Sequence, residues 1–182
     1  MTVICVTGMP GAGKGEVVSI LNDVKGVPVV RMGDIVWAWV EKAGLPLEPS
    51  VVGPFANEER ERHGNDIWAR RCVERVREVM STDIVIDGVR TPREIAVFKE
   101  EFGENLVIVV VRSSRGKRLE RILARGRKDD SISEEDFQRR DQRELGWGLA
   151  EVMEMAQFEL ENEGDLGELK NEVLELFERI KG

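Results

Sequence analysis

The sequence predicts an α/β layered domain built on a five-stranded parallel sheet, and three observations predict it. Short β-branched runs are continuous rather than alternating, as in strands buried on both faces. Stretches with helical spacing separate them, which implies right-handed crossovers. A glycine-rich turn, GMPGAGKG, joins the first run to the first helical stretch.

The strand-like runs cover residues 3–7, 27–30, 83–86 and 106–111, with a weaker fifth at 157–161. Helical spacing covers residues 14–21, 34–42, 66–80, 92–101 and 117–125, a long stretch at 134–155, and 166–180. Residues 44–64 carry Pro46, Pro49, Pro54 and several glycines before a charged helix begins. Residues 34–80 therefore read as a helical excursion between the second and third strands. Residues 126–141 read as a short lid. Its polar first half ends in S-x-x-E and S-x-x-D patterns at Ser131 and Ser133, which suit a helix N-cap with an acidic first turn. The 182 residues make one domain with a full core, spanning 1–182.

Hydrophobic content of 41% is too high for disorder, and a net charge of −8 opposes binding to nucleic acid or an anionic membrane. The charge is uneven: between Arg112 and Arg143 lie eleven Lys and Arg against seven Asp and Glu. Such a basic segment in an acidic chain suggests a local anion site. Cys5 and Cys72 are far apart and His63 is the sole histidine, which argues against a zinc centre, a disulfide framework or a histidine triad. No apolar run approaches the ~20 residues that span a bilayer, so a reducing cytoplasm is the expected setting.

Chemistry concentrates in four places. Gly8, Gly13 and Lys14 fit a phosphate-binding loop, in which glycines turn backbone N–H groups onto phosphate oxygens and the lysine reaches the β- and γ-phosphates. Gly15 stands where such loops often place a hydroxyl, and Glu16 follows it. The Glu16 carboxylate either touches magnesium, directly or through water, or points away to pair with a basic residue. Asp87 closes the third strand, where an acid can order magnesium through water, and Arg90 can grip an acceptor phosphate bidentately. Arg121, Arg125 and Arg127 can converge on a transferring phosphoryl group. Trp37, Trp39 and Trp68, with Arg60, Arg62, Arg70 and Arg71, lie in the excursion. Trp37 is a candidate for stacking on an acceptor or for helix packing, and the arginines are candidate phosphate contacts.

GMPGAGKG resembles the loop of adenylate kinase and related nucleoside monophosphate kinases, in which a glycine also follows the lysine. MGD at residues 32–34, DGVRT at 87–91 and RKDD at 127–130 are similar to their acceptor turn, aspartate–arginine turn and lid arginine. With GMPGAGKGE and the REL-x-WG stretch at 143–148, nearly the whole chain resembles an archaeal, adenylate-kinase-related P-loop family. SISEEDFQRR at 131–140 and ENEGDLGEL at 161–169 also resemble the lid helix and donor-adenine turn of dephospho-coenzyme A kinase. Trp37 stands where adenylate kinases place an arginine, and Glu94 where they place an adenine-reading glutamine.

The resemblance implies a P-loop kinase-like three-layer sandwich with a short lid and a helical acceptor-binding excursion. It implies ATP and Mg²⁺ as cofactors and a phosphorylated small-molecule acceptor, first of all a nucleoside monophosphate. Gly8, Pro10, Gly11, Ala12, Gly13, Lys14, Gly15 and Glu16, with Asn162 and Gly164, would hold the donor. Lys14, Asp87, Arg121, Arg125 and Arg127 would serve catalysis, with Asp87 ordering the metal through water, and Asp34 and Arg90 would face the acceptor. Dephospho-coenzyme A or a nucleoside is the alternative acceptor. A reading of another class is an ATP-binding regulatory module that turns over little and engages a protein partner.

Overall fold

The computed structural model describes residues 1–125 and 133–182. Strands β1 (Thr2–Thr7), β2 (Val29–Arg31), β3 (Asp83–Asp87), β4 (Leu106–Arg112) and β5 (Phe158–Glu161) form one sheet in the order β2-β3-β1-β4-β5. Every pairing is parallel. Between and around the strands lie α1 (Lys14–Lys25), α2 (Met32–Lys42), α3 (Pro49–His63), α4 (Ile67–Glu78) and α5 (Pro92–Phe102). They are followed by α6 (Arg115–Arg125), α7 (Glu134–Gly146), α8 (Leu149–Glu154) and α9 (Leu166–Lys181).

The two-residue alternation of a strand assigns its side chains to two cores. Val3 and Cys5 of β1 join Ile84, Ile86 and Ile108 on one face, under Trp68, Phe98 and Val152 from α4, α5 and α8. Ile4 and Val6 join Val85 and Val109 on the other face, under α1 and α9 through Val17, Leu21, Val173 and Phe177. The expected three layers result. Because β1 is central and its neighbours β3 and β4 are reached by opposite crossovers, its C-terminal end opens at the switch point of the sheet, where ligands bind in such folds.

Three expectations are corrected. Residues 44–64 do not stay irregular, because α3 forms across most of them. Pro49 starts it in the first turn, where no N–H is needed, and Pro54 lies inside it. Tertiary contacts hold the helix: the Trp68 indole N–H donates to the Ala56 carbonyl at 3.2 Å, and Phe55 sits 6.4 Å from the Trp68 ring. The stretch at 134–155 is two helices rather than one, broken where Gly148 takes φ +93°. Strand β2 begins two residues late, because Val27 is still held by the end of α1, its N–H on the Leu21 carbonyl and its own carbonyl on the Asn22 amide. Residues 34–80 are a helical excursion, as expected. Among the described residues no helix is long and apolar enough to cross a membrane.

Candidate functional site

After Thr7 the chain turns through the glycine-rich loop and enters α1 at Lys14, with Gly13 as N-cap at φ +102°. An L side chain rarely adopts that conformation, and a Cβ there would overlap the Asn162 amide. Side chains hold the carbonyls of the loop. Lys14 Nζ donates to Gly8 at 2.6 Å and Met9 at 3.1 Å, Arg118 Nη1 to Pro10 at 3.0 Å, and Asn162 Nδ2 to Ala12 at 2.9 Å. Among the described residues no side chain caps the N-terminus of α1. The positive end of a helix dipole and the loop amides therefore remain available to an anion.

Two titratable groups face each other here. Burial lowers the Lys14 ammonium from 10.5 to about 8; the Arg90 charge pushes the same way, and Asp87 and Glu144 oppose it. Asp87 lies in register with Val6 of β1 and Arg31 of β2, and its carboxylate is 3.7 Å from the Arg31 guanidinium. Burial raises its pKa, the cations Lys14, Arg31 and Arg90 oppose the rise, and Asp34 adds to it. Thr7 Oγ1 donates to the Val89 carbonyl at 3.2 Å and fixes the exit of β3 against β1.

A cavity of about 820 Å³ collects most of the residues expected from the sequence. Gly8, Pro10, Gly11, Gly13, Lys14, Gly15 and Glu16 line it, with Asp34, Asp87, Arg90, Arg121, Asn162 and Gly164. Ala12 is buried behind the loop. Arg125 ends α6, but its side chain and Arg127 lie outside the described residues, as does the first half of the expected lid.

Some expected roles change. Arg121 lines the cavity and donates to Ser113 Oγ at 3.0 Å and to the carbonyl and Oδ1 of Asn162 at 2.9 and 3.1 Å, so it also braces the loop. Glu16 lines the cavity and has no ion pair among the described residues. Glu94, at the adenine-reading position, is buried and occupied: it accepts from the Arg90 and Thr91 N–H groups while Thr91 Oγ1 accepts from its own, a capping box for α5. The excursion arginines are spent within the excursion, Arg60 on Asn57, Arg62 on Glu58, Arg70 on Asp66 and Arg71 on Glu59, and none lines the cavity. Trp68 is core, while Trp37 is at the edge of exposure.

Sequence reasoning missed Arg31, Arg118 and Glu144. Arg31 sits at a strand's C-terminal end, beside the position already singled out in β3. Glu144 lies in the REL-x-WG stretch and is 3% exposed, and its Oε1 accepts from Arg90 Nη1 at 3.0 Å. Its spacing alone reads as a solvated helix acid.

The donor set fits magnesium. Asp34, Asp87 and Glu16 offer hard oxygens in one cavity, though among the described residues no three His, Cys, Asp or Glu side chains group closely enough to hold a metal ion by themselves. Magnesium in phosphoryl-transfer sites is held by one or two carboxylates, leaving positions for water and phosphate.

The model of the AAA domain matches residues 7–138. A UPF0200 protein of Methanoregula boonei is 40% identical over 181 residues, covering 100% of this chain and 98% of its own. A UPF0200 protein of Thermococcus sibiricus is 39% identical, covering 98% and 95%. Among solved structures, TT1252 from Thermus thermophilus matches with TM-score 0.70 at 18% identity, covering 100% of this chain and 98% of that one. Shikimate kinase from Acinetobacter baumannii, in complex with shikimate, matches with TM-score 0.60 at 16% identity, covering 97% and 93%. A gluconokinase from Sinorhizobium meliloti matches with TM-score 0.56 at 18% identity, covering 98% and 93%. These last likenesses show a P-loop kinase-like fold. By sequence, the chain belongs to the UPF0200 family of AAA-domain P-loop proteins.

Proposed function

We propose that this chain is a magnesium-dependent phosphotransferase that moves the γ-phosphoryl group of ATP onto a small-molecule acceptor. The observation that carries this reading is the placement of Lys14, a cation with its pKa depressed by burial, opposite Asp87 in one cavity of about 820 Å³. That volume suits a donor and a small acceptor together. Two structural neighbours named as kinases of small molecules point the same way.

Lys14 would leave the Gly8 and Met9 carbonyls for the β- and γ-phosphates, and the loop amides and α1 N-terminus would cradle the rest of the donor. Magnesium bound with ATP would neutralise phosphate charge, with Asp87 ordering its water ligands and Glu16 close to it. Asn162 and Arg121 keep the loop in shape, and Gly164, where a Cβ would overlap the Glu168 carboxylate, lines the cavity beside it. Asp34 and Arg90 face the acceptor. In the transfer the acceptor oxygen bonds to the γ-phosphorus as the bond to the β,γ-bridging oxygen breaks, and ADP leaves with that electron pair. Catalysis is positioning and charge neutralisation, with Arg125 and Arg127 closing over the phosphoryl group.

The family resemblance makes a nucleoside monophosphate the first acceptor to try, with nucleosides and dephospho-coenzyme A beside it. Both cysteines are buried and unpaired, which fits a reducing cytoplasm. The test is product formation by mass spectrometry across these acceptors and small hydroxy compounds, with Lys14→Ala as control. Acceptor-dependent product that vanishes in the variant supports a kinase. ADP release that no acceptor stimulates counts against it.

A further inference from the structure

Four carbonyls of the phosphate loop are held by side chains, and the one at Pro10 decides the direction of a peptide. Residues 9–12 form a β-turn in which the Ala12 N–H donates to the Met9 carbonyl at 3.1 Å. Pro10 fills its second position and Gly11, at φ +80°, its third. That positive φ makes it a type II turn, which differs from type I by a half-rotation of the central peptide, here Pro10–Gly11. The peptide is trans, so the Pro10 carbonyl and the Gly11 N–H point opposite ways and the half-rotation exchanges them. Gly11 lines the phosphate cavity and Arg118 does not. With its carbonyl on Arg118, this peptide turns the Gly11 N–H away from Arg118, toward the cavity side. A type I turn would present the negative end of the carbonyl there instead. Proline and glycine at these positions tolerate both turn types, so the local sequence leaves the choice open.

Arg118 is 6% exposed, and its Nη1 donates to the Pro10 carbonyl at 3.0 Å. Asp141, midway along α7, takes the same guanidinium as a fork, Oδ1 from Nη1 at 2.9 Å and Oδ2 from Nη2 at 2.6 Å. A bidentate carboxylate fixes the plane of an arginine as well as its position. Phe137, one turn earlier on α7 and fully buried, packs 4.9 Å from that guanidinium. The other charged holder of the loop is Lys14, on the Gly8 and Met9 carbonyls, and it is the group that moves to the phosphates. Arg118 stays, because leaving Asp141 would strand two buried charges.

We infer that the Arg118–Asp141 pair is a positioning latch for the donor, holding the Pro10–Gly11 peptide so that Gly11 offers its N–H to the phosphate chain. This rests on the reading of the cavity as a triphosphate site. Neither residue touches the reacting atoms: Asp141 acts through Arg118, and Arg118 through Pro10. The gain is preorganisation, since a peptide already turned needs no rearrangement when the anion arrives.

The test is Arg118→Met/Asp141→Leu, which removes one charge of each sign and fills the space with apolar stems, a replacement that buried ion pairs often tolerate. Two quantities are read on the nucleotide-free protein: the Pro10–Gly11 orientation in a crystal structure, and affinity for tripolyphosphate by calorimetry. In the double variant Gly11 is expected to move from φ +80° to negative φ in part or all of the molecules. Tripolyphosphate should bind about tenfold more weakly, as one N–H bond to a charged group is lost. Arg118→Lys keeps the charge without the fork, should shift both readings the same way, and decides the matter if the double variant does not fold. A turn unchanged from wild type overturns the inference whatever the affinity. So does a turned peptide that binds tripolyphosphate as tightly as wild type, which would leave the pair a merely structural role. Wild type that binds neither tripolyphosphate nor ATP would sink the donor reading, while the turn geometry of the variants still decides the latch.

Discussion

Asn162 Nδ2 donates to the Ala12 carbonyl at 2.9 Å, joining the turn after β5 to the phosphate loop across 150 positions of sequence. The same residue accepts from Arg121 through both its carbonyl and its Oδ1. The loop's shape thus depends on a residue with no place in the glycine-rich motif. Asn162→Ala removes one buried donor and leaves the Ala12 carbonyl only its long 3.5 Å contact with Arg121 Nη1, at a cost of about 1–3 kcal/mol. Urea unfolding should register that loss, and titration with a fluorescent ATP analogue should show affinity falling about tenfold as the loop loosens. Unchanged ATP affinity would mean that the loop holds itself.

Lys14 supplies a pH dependence whose sign differs between stability and binding. Its folded pKa of about 8 lies below the ordinary 10.5. Below about pH 8 the folded protein carries the full penalty of the buried ammonium. Between the two values the unfolded chain holds a proton that the folded chain has released, so this group makes stability rise with pH across that window. ATP needs the charged form, so its affinity should weaken above pH 8, by up to about tenfold per pH unit. Fluorescent ATP titrations from pH 6.5 to 9.5 test this, with Lys14→Met expected to bind weakly and with no slope.

Much of this site is legible in the sequence because its chemistry is local. The loop and Lys14 follow β1 in one unbroken stretch, Asp87 ends β3, and buried β-branched runs mark the strands themselves. What stayed hidden depends on contacts between distant segments. The α3 helix carries Pro49 and Pro54, so its propensity is poor, and only the Trp68, Phe55 and Glu59 contacts make it a helix. Glu144 sits on a charged helix, and only its approach to Arg90 turns it inward. Arg121 lines the cavity as its basic segment suggests, but its hold on the loop through Asn162 joins segments 41 positions apart.

Glu16 can be tested with one substitution. It lines the cavity at the first turn of α1 and has no ion pair among the described residues, a position where the helix dipole favours a carboxylate and donor phosphates oppose it. If its role is to stand near magnesium, Glu16→Thr should weaken ATP binding severalfold in magnesium while leaving binding in EDTA unchanged or tighter. Parallel titrations in the two conditions measure the difference. An equal change in both would assign Glu16 to the loop's general electrostatics.

The junction between α7 and α8 makes a prediction about the excluded geometry of a single glycine. Gly148 takes φ +93°, and a Cβ there would lie 2.7 Å from Pro92 Cδ at the start of α5. Gly148→Ala should therefore destabilise the fold by about 1–3 kcal/mol through backbone strain and displacement of Pro92. It should also move α7, and with it Glu144, so acceptor KM should rise while ATP affinity stays near wild type. Thermal melting and separate titrations of donor and acceptor distinguish that outcome from global loosening.

The last prediction separates stability from the site. Arg71 is buried, its guanidinium lies 3.4 Å from the Trp39 ring centre and 4.7 Å from that of Trp68, and Glu59 is its ion-pair partner. Removing one member of a buried pair strands the other charge, which typically costs 3–5 kcal/mol. Glu59→Ala should cost about that much in chemical unfolding. Glu59 and Arg71 lie outside the cavity lining, so ATP binding by the folded fraction should be unchanged. Glu59→Ala with Arg71→Met removes both charges and keeps an apolar stem between the indoles, so it should recover most of the loss. A double variant no more stable than Glu59→Ala would show that the stacking of Arg71 on the two tryptophans, rather than the burial of its charge, holds the excursion together.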